Sequence, residues 1–208
     1  MKEIEVKFHV LTMPDVLRKV TPFQTKKQRD VYYDTHEYKL LRVGNFMRIR
    51  DNTSLEFKLN SGDLSHLYCE ELDYVLSELH SHSDAIEKLL DIISLVVPVK
   101  LNSFEDILES NQLIELADID KERAAYNYIN GIKVYYDKVN NLGNFIEADL
   151  MIPSDSSLSV IKEAENSLLE VLLKNEIIVD TNDRVRLGYV ELYLKKHNPV
   201  AFELGLYK

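Results

Sequence analysis

Alternation of charged and apolar residues at a period of two runs through this chain in several separate places. In its opening stretch Glu3, Glu5 and Lys7 fall on one side of a strand and Ile4, Val6 and Phe8 on the other, because successive strand side chains point to opposite faces. The pattern returns over Asn45 to Arg50, where Arg48 and Arg50 oppose Met47 and Ile49, and over Ser54 to Leu59, where Glu56 and Lys58 oppose Leu55, Phe57 and Leu59. Asp51-Asn-Thr53 between them suits a hairpin turn. Around Leu67 to Leu76, Glu71 shares a face with Cys69, Asp73 and Val75, and a bulge there would bring Glu70 onto that face instead. Lys121 and Arg123 share a face within Asp120 to Ile129, Asn130-Gly131 is the strongest hairpin signal in the chain, and Ile132 to Asp137 follows. The set closes with Phe145 to Leu150, where Glu147 and Asp149 alternate with Ile146, Ala148 and Leu150.

Helical spacing fills the intervals. Pro14 to Val20 reads as a short helix with Thr12 placed to cap it, and a polar tether, Thr25 to Gln28, leads to a strand at Asp30-Val-Tyr-Tyr-Asp-Thr35. Ser83 to Leu95 carries apolar residues at helical intervals, Ser103-Phe-Glu-Asp106 opens another helix with a capping-box start, and Ser157 to Lys174 is amphipathic. Asp183 to Leu194 reads as a final short helix. The expectation is an α+β protein, one domain over residues 1–208, with a helical insertion at about 79–118 and C-terminal helices at about 157–194.

Composition removes several alternatives. A net charge of −10 over 208 residues argues against a nucleic-acid or anionic-membrane surface, so basic residues that matter must be locally concentrated. No stretch is apolar enough to span a membrane, and the charged opening strand lacks a signal-peptide pattern, so a cytoplasmic protein is expected. The single cysteine, Cys69, excludes an intramolecular disulfide. His80 and His82 stand two apart with no Cys or third ligand nearby, and an exposed loop accounts for them.

Any one of these charged faces is explained by a sheet open to water. The set asks for more. If helices cover the outside, a sheet curling into a closed barrel places the charges in its lumen, where they must meet one another or a ligand. A polyanion with divalent cations balances both signs, because Arg and Lys clamp phosphate oxygens while carboxylates hold a hard cation. No Gly-rich phosphate loop is present, so phosphate would be held by strand side chains.

The ordered motifs Glu3-x-Glu5-x-Lys7, Tyr32-Tyr-Asp-Thr35, Met47-Arg-Ile-Arg50, Lys58, Lys121-x-Arg123, Asp137 and Leu142-Gly-x-Phe-x-Glu147-x-Asp149 resemble the CYTH family, the triphosphate tunnel metalloenzymes. That family includes class IV adenylate cyclases, thiamine triphosphatases and inorganic triphosphatases. The resemblance covers residues 1 to about 150, and the segment Tyr189 to Pro199 is loosely similar to thiamine triphosphatase ends. It implies an antiparallel closed β-barrel of eight strands, a tunnel with helices packed outside. It further implies that Lys7, Arg48, Arg50, Lys58, Lys121 and Arg123 contact the triphosphate. Glu3, Glu5, Glu147 and Asp149 would bind Mg²⁺ or Mn²⁺, joined by Glu71 and Asp137, with Glu3, Glu5 and Lys7 serving catalysis. Asp149 stands where many members have Glu, and Cys69 stands near Glu71 where a basic residue is common.

The implied reaction is metal-dependent hydrolysis of tripolyphosphate, a nucleoside triphosphate or thiamine triphosphate, small-molecule partners all. Adenylate cyclisation uses the same clamp, and a non-catalytic polyphosphate-binding module would keep it without turnover. Charged strands that pair with one another for stability are the non-functional alternative. Oligomeric state is left open by the sequence.

Overall fold

Strands form where the chain alternates. The computed structural model describes residues 2–60, 70–128, 131–153 and 155–206; Cys69 and the first residue of the Asn130-Gly131 turn lie outside them. The strands are β1 (Lys2–Val10), β2 (Gln24–Asp34), β3 (Phe46–Arg50), β4 (Ser54–Leu59), β5 (Glu70–Val75), β6 (Ile114–Asn127), β7 (Lys133–Val139), β8 (Gly143–Ile152) and a short β9 (Arg184–Val185). The helices are α1 (Asp15–Arg18), α2 (Ser83–Ile92), α3 (Phe104–Asn111), α4 (Leu158–Lys174), α5 (Tyr189–His197) and α6 (Pro199–Leu204). The result is α+β.

One hydrogen-bonded sheet of nine strands runs in the order β5-β4-β3-β2-β6-β7-β8-β1-β9. Among the described residues no ladder joins β5 to β9, so hydrogen bonds do not close the sheet and the expected closed barrel of eight strands is not confirmed by them. The outer edge of β1 is instead taken by β9, which pairs Lys7 with Val185 and Phe8 with Arg184. That extended stretch lies inside the interval expected to be helical from Asp183, so the helix starts only at Tyr189. The polar tether is also corrected, since β2 begins at Gln24 and is solvent-exposed over most of its first half. Thr25 and Lys27 are polar because they face water, Gln28 is buried, and the backbone extends throughout.

Two compact units divide the chain, the first holding 2–28 and the described part of 120–189, the second holding 29–60, 70–119 and 190–206. In the first, Ile4, Val6, Phe8, Val134, Ile146 and Ala148 form an apolar sheet face on which α4 lays Ile161, Ala164, Leu168 and Leu172. Leu168 and Leu172 are fully buried, so truncating either to Ala costs about 2–5 kcal/mol. In the second, Met47, Ile49, Leu55 and Phe57 pack against Ile86, Leu89 and Leu90 of α2 and Phe104 and Ile107 of α3. The Asp106 carboxylate accepts the Ser103 N–H at 3.0 Å, as the capping box predicts.

Turn chemistry sets the β3–β4 register. Asp51 and Asn52 adopt φ of 53° and 54°, and the Thr53 N–H donates to the Arg50 carbonyl at 2.9 Å. Left-handed backbone at these two positions opens a three-residue connection, 51–53, that sets Arg50 opposite Ser54. Arg48 therefore lies opposite Glu56.

Candidate active site

Antiparallel register builds the first unit's charged face row by row. Lys7 stands opposite Glu147 and Glu5 opposite Asp149. On the other side of β8, Tyr135 stands opposite Glu147, and Arg123 of β6 stands opposite Asp137 of β7. Side chains directly across a ladder share a face, so these groups converge on the side away from α4.

Every phosphate-clamp cation expected here already meets acid. Arg123 donates through Nε to Asp137 Oδ1 at 2.8 Å and through Nη2 to Asp137 Oδ2 and Glu147 Oε1, both at 2.6 Å. Lys7 donates to Glu5 Oε1 at 2.7 Å and lies 3.6 Å from Glu147. Lys121 Nζ is 4.0 Å from Asp137. Lys7, Lys121, Asp137, Glu147 and Asp149 are all buried. Burial alone would raise the Glu147 carboxyl, but Arg123, Lys7 and Lys121 outweigh it and hold that group well below the usual range. Asp149 moves the opposite way: burial raises it and the Glu147 charge adds to the rise, against a hydrogen bond from Tyr135, the nearby Lys133 and a hydrogen bond shared with Glu3.

A matching face occupies the second unit. Arg48 donates to Glu56 Oε2 through Nε at 2.9 Å and Nη2 at 2.7 Å, while its Nη1 reaches the Tyr32 hydroxyl oxygen at 2.7 Å. Arg50 chelates Asp30 at 2.7 and 3.1 Å and lies 3.1 Å from Glu56. Lys58 pairs with Glu71. That contact settles which of the two neighbouring acids shares the face, since Glu71 stands opposite Lys58 and Glu70 opposite Leu59. Burial works against the Glu71 charge, yet Lys58 holds its carboxyl below the usual range. Asp34, from the Tyr-Tyr-Asp-Thr motif, is structural: its carboxylate accepts the N–H groups of Thr35, Leu40 and Leu41 at 2.7, 3.0 and 2.9 Å and so folds the loop before β3.

The structure thus gathers Glu3, Glu5, Lys7, Lys121, Arg123, Asp137, Glu147 and Asp149 in one unit and Arg48, Arg50, Lys58 and Glu71 in the other. Sequence reasoning passed over Asp30, Glu56, Tyr32, Tyr135 and Tyr189. For the first four the available signal was the same alternation, since each stands two residues from an expected site residue or from another of the four.

Hard carboxylate oxygens facing each other suit a divalent cation. Glu5 and Asp149 are directly opposed across β1 and β8, a like-charge arrangement that destabilises a sheet unless neutralised. No three His, Cys, Asp or Glu side chains already converge as a metal cage among the described residues. The opposed Glu5 and Asp149 are where a divalent cation would fit, since such ions can be held by one or two carboxylates and completed by water and substrate phosphate.

A family model described as the CYTH domain matches residues 1–181. The chain belongs to the CYTH family. Solved structures agree on the fold of this CYTH chain. The PH1819 protein of Pyrococcus horikoshii superposes with a TM-score of 0.64 at 21% identity, covering 94% of this chain and 99% of that one. A putative adenylate cyclase from Vibrio parahaemolyticus gives 0.59 at 15% identity, covering 92% and 97%. HpAC1 from Hippeastrum, described as a putative adenylyl cyclase with a dominant triphosphatase activity, gives 0.56 at 17% identity, covering 98% and 95%. A search of curated proteins gives no match. No helix of this CYTH chain, among the described residues, is long and apolar enough to cross a membrane.

Proposed function

We propose that the chain hydrolyses inorganic or organic triphosphates, binding the phosphates through Lys7, Arg48, Arg50, Lys58, Lys121 and Arg123 with Mg²⁺ or Mn²⁺ on the carboxylates. The observation that carries this reading is the doubled charged face, in which each expected arginine is already splayed and oriented by carboxylates on neighbouring strands. An oriented guanidinium presents its remaining N–H groups to phosphate oxygens without first losing rotamer freedom. Glu3, Glu5, Glu147 and Asp149 would hold the cation, and when bound it supplies charge neutralisation and activation of water. Asp137, fully buried and bonded to Arg123, orients that clamp residue. Lys7, between Glu5 and Glu147, would neutralise charge on the transferred phosphoryl group.

The competing account, in which the charges pair only for stability, has the same contacts to explain. What favours function is cost: burying this many ions is not a route to stability, since apolar residues of similar volume do as well or better. The description of HpAC1 supplies a precedent on the same fold for hydrolysis dominating in a protein named as a cyclase. The deciding experiment measures phosphate, pyrophosphate and cyclic AMP from tripolyphosphate, ATP, GTP and thiamine triphosphate, each with Mg²⁺, Mn²⁺ or chelator. Metal-dependent phosphate release is the expected result. Cyclic AMP with pyrophosphate from ATP would replace hydrolysis by cyclisation, and no product with any substrate would leave binding alone.

A further inference from the structure

Tyr189 touches two of the first unit's cations, Lys7 and Lys121. It opens α5, yet its ring is buried, held edge-on by Phe145 with ring centroids 5.1 Å apart. Lys7 Nζ lies 4.5 Å from the ring centroid and Lys121 Nζ 5.0 Å from it. Ammonium groups within about 6 Å of an aromatic centroid are attracted to its face. The hydroxyl donates to Asp137 Oδ2 at 2.8 Å, and the same oxygen accepts from Arg123 Nη2 at 2.6 Å. One rigid side chain is therefore tied to Lys7 and Lys121 through its ring and to Arg123 through Asp137.

A lysine has a long flexible stem, so a binding site that needs two ammonium groups at fixed places must restrain both. Carboxylates contribute to this, Lys7 lying 2.7 Å from Glu5 and Lys121 4.0 Å from Asp137. The ring does it without adding charge. Burial first, then the Glu147 and Asp137 carboxylates, keep the phenol protonated far into alkaline pH, so it remains a donor to Asp137.

We propose that Tyr189 is a positioning residue of the phosphate clamp, its ring a shared seat for Lys7 and Lys121 and its hydroxyl the lock that keeps Asp137 on Arg123. This rests on the triphosphate reading above. A purely structural tyrosine predicts that substitution lowers the melting temperature with KM unmoved. A positioning tyrosine predicts that KM for tripolyphosphate rises more than kcat falls, in two separable steps.

The test compares wild type, Tyr189→Phe and Tyr189→Leu with Mg²⁺ and tripolyphosphate, with melting temperatures alongside and tripolyphosphate binding measured separately by calorimetry. The Phe variant keeps the ring and loses the lock, and a rise in KM of about threefold to tenfold is expected, a fraction of one hydrogen bond to a charged group, because Asp137 keeps its Arg123 contacts. The Leu variant loses both, and a rise of at least tenfold beyond the Phe variant is expected. In a Lys7→Ala background the Phe-to-Leu step should shrink, because one of the ring's two cations is gone. If wild type binds and hydrolyses tripolyphosphate while both variants keep wild-type KM, the positioning role is overturned and the function stands. Should the Leu variant not fold, a wild-type KM in the Phe variant overturns the lock, and a wild-type KM in Tyr189→Met, which lacks the ring, overturns the seat. Wild type that neither binds nor hydrolyses any of tripolyphosphate, ATP, GTP and thiamine triphosphate overturns both readings together.

Discussion

Glu147 and Asp149 stand two residues apart on one strand face with their carboxyl groups driven in opposite directions, so neutralising each should shift stability with opposite sign. Glu147→Gln keeps an oxygen but removes the charge from Arg123's 2.6 Å contact and from Lys7's 3.6 Å one. Arg123 keeps Asp137 and Lys7 keeps Glu5, so the cost falls below the roughly 3–5 kcal/mol of a buried pair broken outright. About 2 kcal/mol is expected, the size of one hydrogen bond to a charged group. For a chain of this length that lowers Tm by about 4–8 °C. Asp149→Asn removes a charge that burial and Glu147 penalise while keeping an oxygen for Tyr135, and should raise Tm in chelating buffer at neutral pH.

The pH dependence carries its own sign. A depressed folded value means that the Glu147 contribution is fully present above the unfolded glutamate pKa of about 4.3 and is lost as pH falls through the folded value. The Glu147→Gln deficit should thus hold from pH 7 down to about 5 and shrink in stronger acid. A raised folded value means that the Asp149 contribution is fully present below the unfolded aspartate pKa of about 3.9 and is lost as pH rises through the folded value. The gain from Asn should grow from acid towards neutrality. Added Mg²⁺ reverses the second result, since wild type gains stability from the cation and the Asn variant gains less. Melts by circular dichroism at several pH values, with chelator and with Mg²⁺, check all of this; two variants shifting in the same direction at neutral pH in chelator would refute the electrostatic reasoning.

Three further outcomes follow from the same geometry. Asp30→Asn should cost about 2–4 kcal/mol, because it weakens the chelate on Arg50 and leaves the buried Arg48 with less compensation, and steady-state assays should show KM rising with it. Asp34→Ala strips three backbone N–H groups of their acceptor, for a loss of about 2–3 kcal/mol in denaturant melts; a loss of activity in protein that is still fully folded would contradict its structural role. Tripolyphosphate with Mg²⁺ at about a hundred times Kd should stabilise wild type by about 2.7 kcal/mol through linkage, and the same addition to Arg123→Ala should give a much smaller thermal shift.

Local pattern made the strand faces legible. The alternation in β1, β3, β4 and β8 put the right side chains on the charged side, and the register confirmed Glu71 as the acid that shares the face with Lys58. Partnerships were less legible, because Asp30 meets Arg50 and Tyr189 meets Asp137 only after residues far apart in sequence are brought together. No residue spacing announces such contacts. Strand β9 was hidden for a related reason: two residues, Arg184 and Val185, are too few to show a period, and their extension is decided by the edge of β1. Barrel closure was an expectation from family resemblance, and the hydrogen-bonding order among the described residues does not itself close the sheet.

Arg48, Arg50 and Arg123 each sit in a carboxylate fork within their own unit. Such a fork works as a threshold against small ions. Chloride or a single orthophosphate offers too little charge to compete with an acid already at hydrogen-bond distance, whereas a chain of linked phosphates presents several charges at the entropic cost of one molecule. Discrimination by phosphate number would then arise before any chemistry, and it would persist in a cytosol-like excess of free phosphate.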